Sequence, residues 1–260
     1  MKIASWNVNS LKVRLPQVLD WINLNQPDVL CLQETKQNND NFPHEVFEKK
    51  GLFSYHNGQN TYNGVAIISK SKPSYVDYNP VKTDKNEARS LLVTIDGISI
   101  LNLYVVNGKD INTDKYTYKL SWLKKLHTFT KKLLSQNDNV VLLGDFNIAP
   151  TNNDVFDIEK TAGQILCSDK ERSALQRLLG LGLYDVFDDF SFPPKTFTWW
   201  DYRSGAFQRN IGYRIDLILA SDKIRKKCSG YYIDKETRHK SWCLVEPRTS
   251  DHAPVRIILD

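Results

Sequence analysis

The chain has 260 residues, 35 Lys and Arg against 30 Asp and Glu, and a formal net charge of +5 with a pI near 8.8. That length suits a single domain with a large two-sheet core, and its apolar stretches fall far short of the roughly 20 residues that a membrane span needs. The basic excess favours a polyanionic partner, although many proteins without one share it, and Cys31, Cys167, Cys228 and Cys243 have neither metal-ligand spacing nor the density of a secreted disulfide framework.

In chain order, residues 2 to 6 read as a strand and an amphipathic helix follows from about Leu15 to Asn25, with Leu15, Val18, Leu19 and Ile22 on one side. Residues 28 to 33 form the next strand, and FPHEVFEKKG is a short helix ended by Gly51. Strand candidates then run over Phe53 to His56, Val65 to Ser69, Leu91 to Ile95 and Ile98 to Val105, with Asp96-Gly97 as a hairpin turn between the last two. The longest helix candidate spans Lys115 to Gln136. Trp122, Leu126, Phe129 and Leu133 form its core stripe, and Lys119, Lys124, Lys125, Lys131 and Lys132 are read as its solvated face. A further helix covers Asp169 to Leu179. The opening MKIASWNVNS lacks the charged-then-apolar build of a signal peptide, so a soluble, cytoplasmic protein is expected. No linker or repeat divides the chain, and one domain over residues 1–260 is the expectation.

Seven polar residues, Asn7, Glu34, Asp145, Asn147, Asp216, Asp251 and His252, stand at the ends or edges of the apolar runs KIASW, VLCLQ, VVLLG, RIDLILA and PVRIILD. One carboxylate at a strand end is more often a cap or a surface charge. Five strand ends carrying acid, amide or imidazole point to a shared site, because ligands of layered α/β folds collect there. Oxygen donors with one imidazole suit a hard divalent cation such as Mg²⁺ or Mn²⁺ better than Zn²⁺.

In LLGDFNIAP, residues 142 to 150, Gly144 is read as letting the backbone approach a substrate. Asp145 and Asn147, two apart in an extended segment, are expected to point the same way, one activating water and the other touching phosphate or metal. LQETK delivers Glu34 from a buried strand, where Lys36 or a divalent ion can partner it. SDHAPV sets Asp251 as a metal ligand beside His252, whose imidazole Asp216 can hold from its other nitrogen. His44, His56, His127 and His239 are read as surface or satisfied core residues.

The segments WNVNS, LQETK, LYVVNG, GDFNIAP, TWWDYRSGAF, YRIDLILAS and SDHAPV occur in order from end to end and resemble the exonuclease III family of abasic-site endonucleases, within the wider DNase I-like superfamily. The resemblance implies a four-layer α/β sandwich, two packed mixed sheets flanked by helices. It also implies a Mg²⁺- or Mn²⁺-dependent, monomeric nuclease acting on double-stranded DNA at abasic sites and 3′ ends. By the same resemblance Asn7 and Glu34 sit at the metal, Asp145 activates water, and Asn147 steadies the phosphate. Tyr104 contacts the phosphate or protonates near it, and the pair Asp216 and His252 completes the site with Asp251. Composition and spacing would not have selected Tyr104. For DNA contact the segment TWWDYRSGAFQRN, where aromatic and basic residues interleave, is the first candidate: Trp199 resembles the family's aromatic wall against the sugar that lacks a base, Arg203 and Arg209 are expected on phosphates, and Arg89 is a further phosphate candidate. Core packing is expected for at least one of Trp199 and Trp200.

Val106, Thr161, Asp188 and Ile211 depart from the family pattern away from the chemical centre. Two rivals make different demands. A lipid- or inositol-phosphate phosphodiesterase would share GDFN and SDH without needing WWDYR. A DNA-binding protein that had lost catalysis would show damage among the site residues, and all are intact.

Overall fold

The computed structural model describes residues 1–260. The elements in chain order are β1 (Lys2–Asn7), α1 (Leu11–Asn25), β2 (Val29–Gln33), α2 (His44–Glu48), β3 (Phe53–Asn57), β4 (Val65–Ser69), β5 (Tyr75–Tyr78), β6 (Ser90–Ile95) and β7 (Ile98–Tyr104). There follow α3 (Asp114–Gln136), β8 (Val140–Asp145), α4 (Ile158–Thr161), α5 (Asp169–Leu179), β9 (Leu183–Asp185), β10 (Trp199–Trp200), β11 (Gly212–Tyr213), β12 (Asp216–Ser221), α6 (Asp222–Arg225), β13 (Cys228–Ile233) and β14 (Val255–Leu259).

Two six-stranded mixed sheets form, the first in the order β13-β14-β1-β2-β4-β3 and the second β5-β6-β7-β8-β12-β9, with β10-β11 as a separate ribbon. Their inner faces meet through Ile3, Val29, Cys31 and Ile67 of the first and Val93, Ile100, Leu143 and Ile218 of the second. The outer face of the first sheet packs Ala4, Trp6, Leu30 and Leu32 under α1, which contributes Val18 and Trp21. On the other side Leu101, Leu142 and Leu217 lie under Trp122 and Leu126 of α3 and Leu175 of α5. The result is the expected four-layer sandwich. Strands such as β2, β4 and β8 are apolar on both faces because each face is covered, which is why they read as unbroken apolar runs.

Local chemistry sets the ends of these elements. Asp96 and Gly97, at φ 50° and 77°, turn β6 into β7 as a two-residue hairpin. Thr113 caps α3, its side chain accepting from the Tyr116 amide, and Ser168 and Glu171 form a reciprocal capping box on α5. Helix α1 begins at Leu11 rather than Leu15 and carries Pro16 inside it, which forfeits one backbone hydrogen bond near its start. No helix is long and apolar enough to cross a membrane.

Candidate active site

Strand register builds the site. Tyr104 lies opposite Asp145 in the parallel pairing of β7 with β8, and Asp145 lies opposite Asp216 in the antiparallel pairing of β8 with β12, so the three end one edge of the second sheet side by side. On the first sheet Asn7 ends β1 opposite Gln33 at the end of β2, and Glu34 follows in the left-handed region at φ 51°. His252 enters from the segment before β14 and pairs with Trp199 in an isolated bridge. Both sheets therefore deliver polar groups to one cluster.

Asn7 ties the two sheets together there. Its Nδ2 donates to Glu34 Oε1 at 3.0 Å and to Asp145 Oδ2 at 2.9 Å, and its Oδ1 accepts from the Asn9 amide at 3.0 Å. Asn147 closes the other side: its backbone N–H donates to Asp145 Oδ1 at 2.9 Å and its Nδ2 to Asp145 Oδ2 at 3.1 Å. Its Oδ1 accepts from Asn107 Nδ2 at 2.8 Å. The Asp216 carboxylate lies 2.9 and 3.1 Å from His252 Nδ1, and because a carboxylate only accepts, that nitrogen carries the proton. His252 Nε2 is left facing Asp145 Oδ2 at 3.8 Å, too far for a direct hydrogen bond.

Charge in this hollow is unbalanced. Burial, with the nearby Asp216 and Glu34 carboxylates, pushes Asp145 up to about 7 against the pull of His252. Burial also works against a charged His252, but Asp216, by charge and hydrogen bond, and then Asp145 and Asp251 outweigh it and lift the imidazole to about 10. At neutral pH His252 is a cation. Burial, then Glu34 and Asp145, hold the Tyr104 phenol well above its ordinary range.

Glu34, Asp145 and His252 each offer a donor atom within 4.8 Å of the others. Three carboxylates around one imidazolium carry a surplus of negative charge, and Lys36 already answers part of it, with Nζ 3.0 Å from Glu34 Oε2 and a hydrogen bond to Asn9 Oδ1. Oxygen-rich donors with residual negative charge fit a hard divalent cation.

The structure gathers Asn7, Glu34, Tyr104, Asp145, Asn147, Asp216 and His252. Asp251 is not in the trio of candidate metal ligands. Its two oxygens accept from Trp199 Nε1 at 2.9 Å and Asn9 Nδ2 at 3.0 Å, and although burial opposes it, His252 with these two donors holds its carboxyl below the usual value. Arg89 differs from its expected place on a phosphate. It is 8% exposed, donates to Glu87 Oε2 at 2.5 Å and lies over the Tyr104 ring at 4.9 Å, because the sheet edge buries its guanidinium and Glu87 neutralises it. Trp199 is half-buried beside His252, whereas Trp200 is fully buried and packs in the core. Arg203 and Arg209 are exposed.

Two local readings also change. A Cβ on Gly144 would sit 1.9 Å from the Leu103 carbonyl, so the close approach is to β7, not to a substrate. Asn147 reaches Asp145 through a left-handed turn at φ 50°, not along an extended strand. Lys119, read as solvated, is fully buried, pairs with Glu171 and donates to the carbonyls of Asn147 (2.6 Å) and Asn107 (3.1 Å), holding the Asn147 turn. Its spacing of three, four and seven from Trp122, Leu123 and Leu126 placed it on the apolar stripe, a signal that its charge obscured. Asn9, which bridges Lys36 and Asp251, was also missed, though it lies in the WNVNS segment.

The model of the endonuclease/exonuclease/phosphatase family matches residues 4–252. The chain belongs to this family. Within it, the chain is 30% identical over 269 aligned residues to exodeoxyribonuclease III of Haemophilus influenzae, covering 98% of each. A Neisseria 3′ phosphatase bound to a product DNA hairpin superposes with a TM-score of 0.94 at 41% identity, covering 100% of this chain and 99% of that one. An AP endonuclease from Archaeoglobus fulgidus gives a TM-score of 0.92 at 36% identity, again over 100% and 99%. The chain is thus a nuclease of the exonuclease III branch of the endonuclease/exonuclease/phosphatase family, with the two-sheet, DNase I-like architecture of these relatives.

Proposed function

We propose that this nuclease is a Mg²⁺- or Mn²⁺-dependent DNA repair enzyme that cleaves double-stranded DNA 5′ to abasic sites and trims or unblocks 3′ ends. It would act as a monomer with one domain over residues 1–260. Support for the substrate comes from the exodeoxyribonuclease, 3′ phosphatase and AP endonuclease relatives. Four free cysteines, three of them buried, suit the reducing cytoplasm.

The observation that carries the chemistry is the buried, Asp216-anchored His252, whose Nε2 faces Asp145 across 3.8 Å. A phosphodiester seated in that hollow would meet His252 and the Asn147 amide at the oxygens where charge builds during in-line attack by water. Asp145, with its pKa near 7, is matched to orient that water and take its proton. Tyr104, protonated at neutral pH, donates toward a phosphate oxygen. Glu34 and Asp145, with Asn7 and Asn147 nearby, would hold the metal, which when bound supplies Lewis-acid stabilisation of the phosphate charge; His252 would join them only as the neutral imidazole, and Asp251 would stand behind them on Trp199 and Asn9. Trp199 lies beside His252 where the sugar would rest, and Arg203 and Arg209 offer exposed cations to flanking phosphates.

The test is direct: an abasic-site duplex and a 3′-recessed duplex are incubated with the enzyme in Mg²⁺ and in EDTA. Mg²⁺-dependent nicking 5′ to the abasic site and shortening of the recessed strand are expected. Cleavage that persists in EDTA, or no cleavage of either duplex, would contradict the proposal.

A further inference from the structure

We infer that Leu244 and Val245 form an apolar wedge that enters the minor groove of duplex DNA seated at the active site and opens a base step there, which rests on the reading that the substrate is duplex DNA. Leu244 is 87% exposed and Val245 81%, more than any other large apolar side chain of the molecule. They crown a loop whose two legs are fixed. On one leg Trp242 packs against the core beneath α1, and Cys243 is buried with its Sγ 3.3 Å from Asp20 Oδ2. On the other, the Glu246 carbonyl accepts from Gln17 Nε2 at 2.6 Å, while Arg14 donates to the carbonyls of Arg248 at 2.9 Å and Thr249 at 3.1 Å. Helix α1 holds both legs and leaves only the two apolar residues outside. A loop anchored in this way has already lost the freedom that binding would otherwise remove.

Its surroundings select a polyanion. A hollow of about 420 Å³ beside the loop is lined by Arg14, Tyr202, Lys240, Pro247, Arg248 and Thr249, three cations and no carboxylate. Arg248 is paired with Glu246 at 2.6 Å, and Lys240 makes no ion pair. The same loop reaches the catalytic hollow through Tyr202, whose hydroxyl donates to the Thr249 carbonyl at 2.9 Å and accepts from Asn9 Nδ2 at 3.3 Å, beside Asp251. Thr249 to Leu244 spans five residues, at most about 17 Å of chain, or the rise of about five base pairs at ~3.4 Å each. The tip thus lies within a few base pairs' reach of Thr249, which Tyr202 joins to Asn9 beside Asp251. Branched apolar side chains flanked by cations are the means by which minor-groove proteins part stacked bases. Two residues offer far less than the roughly 800 Å² that a stable protein partner covers on each side.

The experiment compares wild type, the double variant Leu244→Ser/Val245→Ser, the single variant Leu244→Met and Lys240→Ala. Each is assayed with an abasic duplex, with a p-nitrophenyl ester of thymidine 5′-phosphate, and with duplexes carrying 2-aminopurine at successive steps. The double variant should raise KM on the duplex by at least about tenfold, with kcat, the ester reaction and the salt dependence unchanged. Leu244→Met should keep the wild-type KM. Lys240→Ala should instead lower the salt slope by about one. In wild type one 2-aminopurine step should brighten on binding, and the double variant should abolish that signal. An unchanged KM with no brightening in a wild type that binds and cuts the duplex would overturn the wedge alone. An unchanged KM with loss of self-association would assign the tip to a protein contact and overturn it too. A wild type that neither binds nor cuts duplex DNA would remove the substrate reading, and the wedge with it.

Discussion

Arg214 and Asp216 stand two residues apart in the chain, yet they enter buried polar clusters of opposite character. Arg214, 1% exposed, donates to Asp154 Oδ1 at 2.5 Å and Asp185 Oδ2 at 2.6 Å, and its guanidinium lies 4.1 Å from the Phe187 ring centroid. The remaining carboxylate oxygens are also occupied, Asp154 Oδ2 by the Thr151 amide and hydroxyl and Asp185 Oδ1 by the Phe187 amide. The cluster around Asp216 instead sets three carboxylates about one imidazolium and leaves His252 Nε2 and Asp145 Oδ2 apart at 3.8 Å. The first cluster pairs its cation with two carboxylates whose four oxygens all accept hydrogen bonds, and it serves the fold. The second keeps uncompensated negative charge, which under the proposed function would meet a substrate and an ion, a cost in stability that functional sites commonly carry.

Of the residues in the two clusters, Asp145 should show the largest effect when changed. Asp145→Asn should lower kcat on an abasic duplex by about 10²- to 10⁴-fold while leaving DNA affinity intact. A variant that keeps its turnover would remove Asp145 from the chemistry. Next in size, Arg214→Met leaves Asp154 and Asp185 buried without their cation and should cost about 3–5 kcal/mol in denaturant unfolding. A loss below about 1 kcal/mol would show that the closed cluster is not what holds that region.

A smaller effect sharpens the contrast through pH. The folded-state pKa of His252, about 10, lies above its ordinary 6.5, so the native state binds the extra proton between those values. The stability it contributes is full below pH 6.5 and lost as the pH rises toward 10, with a slope of up to about 1.4 kcal/mol per pH unit. Urea titrations in EDTA should show that decline in wild type, and His252→Gln should flatten it. A wild-type curve that is level over this range would contradict the charge assigned to the imidazole.

Much of this contrast was legible from residues alone, for reasons that differ by element. Strands β2, β4 and β8 are buried on both faces and read as apolar runs, so the residues at their ends could be picked out as a site. Strands β5 and β13 were missed because they are partly exposed and carry Tyr with few aliphatic residues, and β10 and β11, two residues each, carry no period at all. Asp216 and His252 were paired correctly because one apolar strand and one SDH segment delivered them. The Arg214 cluster joins three segments far apart in sequence, and no local pattern announces such a meeting. Lys119 and Arg89 show the same limit, since charge alone suggested solvent or phosphate where burial gave each a carboxylate partner. The departures Val106 and Thr161 are buried, and Asp188 lies near the Arg214 cluster, where burial and then Asp185 raise its pKa.

If the surplus acid of the Asp216 cluster holds a divalent ion, as proposed, Mn²⁺ binding should follow that acid, and calorimetry on wild type, Glu34→Gln and Arg214→Met measures it. Wild type should bind Mn²⁺, Glu34→Gln should lose at least about tenfold in affinity, and Arg214→Met, assayed below its unfolding temperature, should bind as wild type does. Equal affinity in wild type and Glu34→Gln would contradict that proposal.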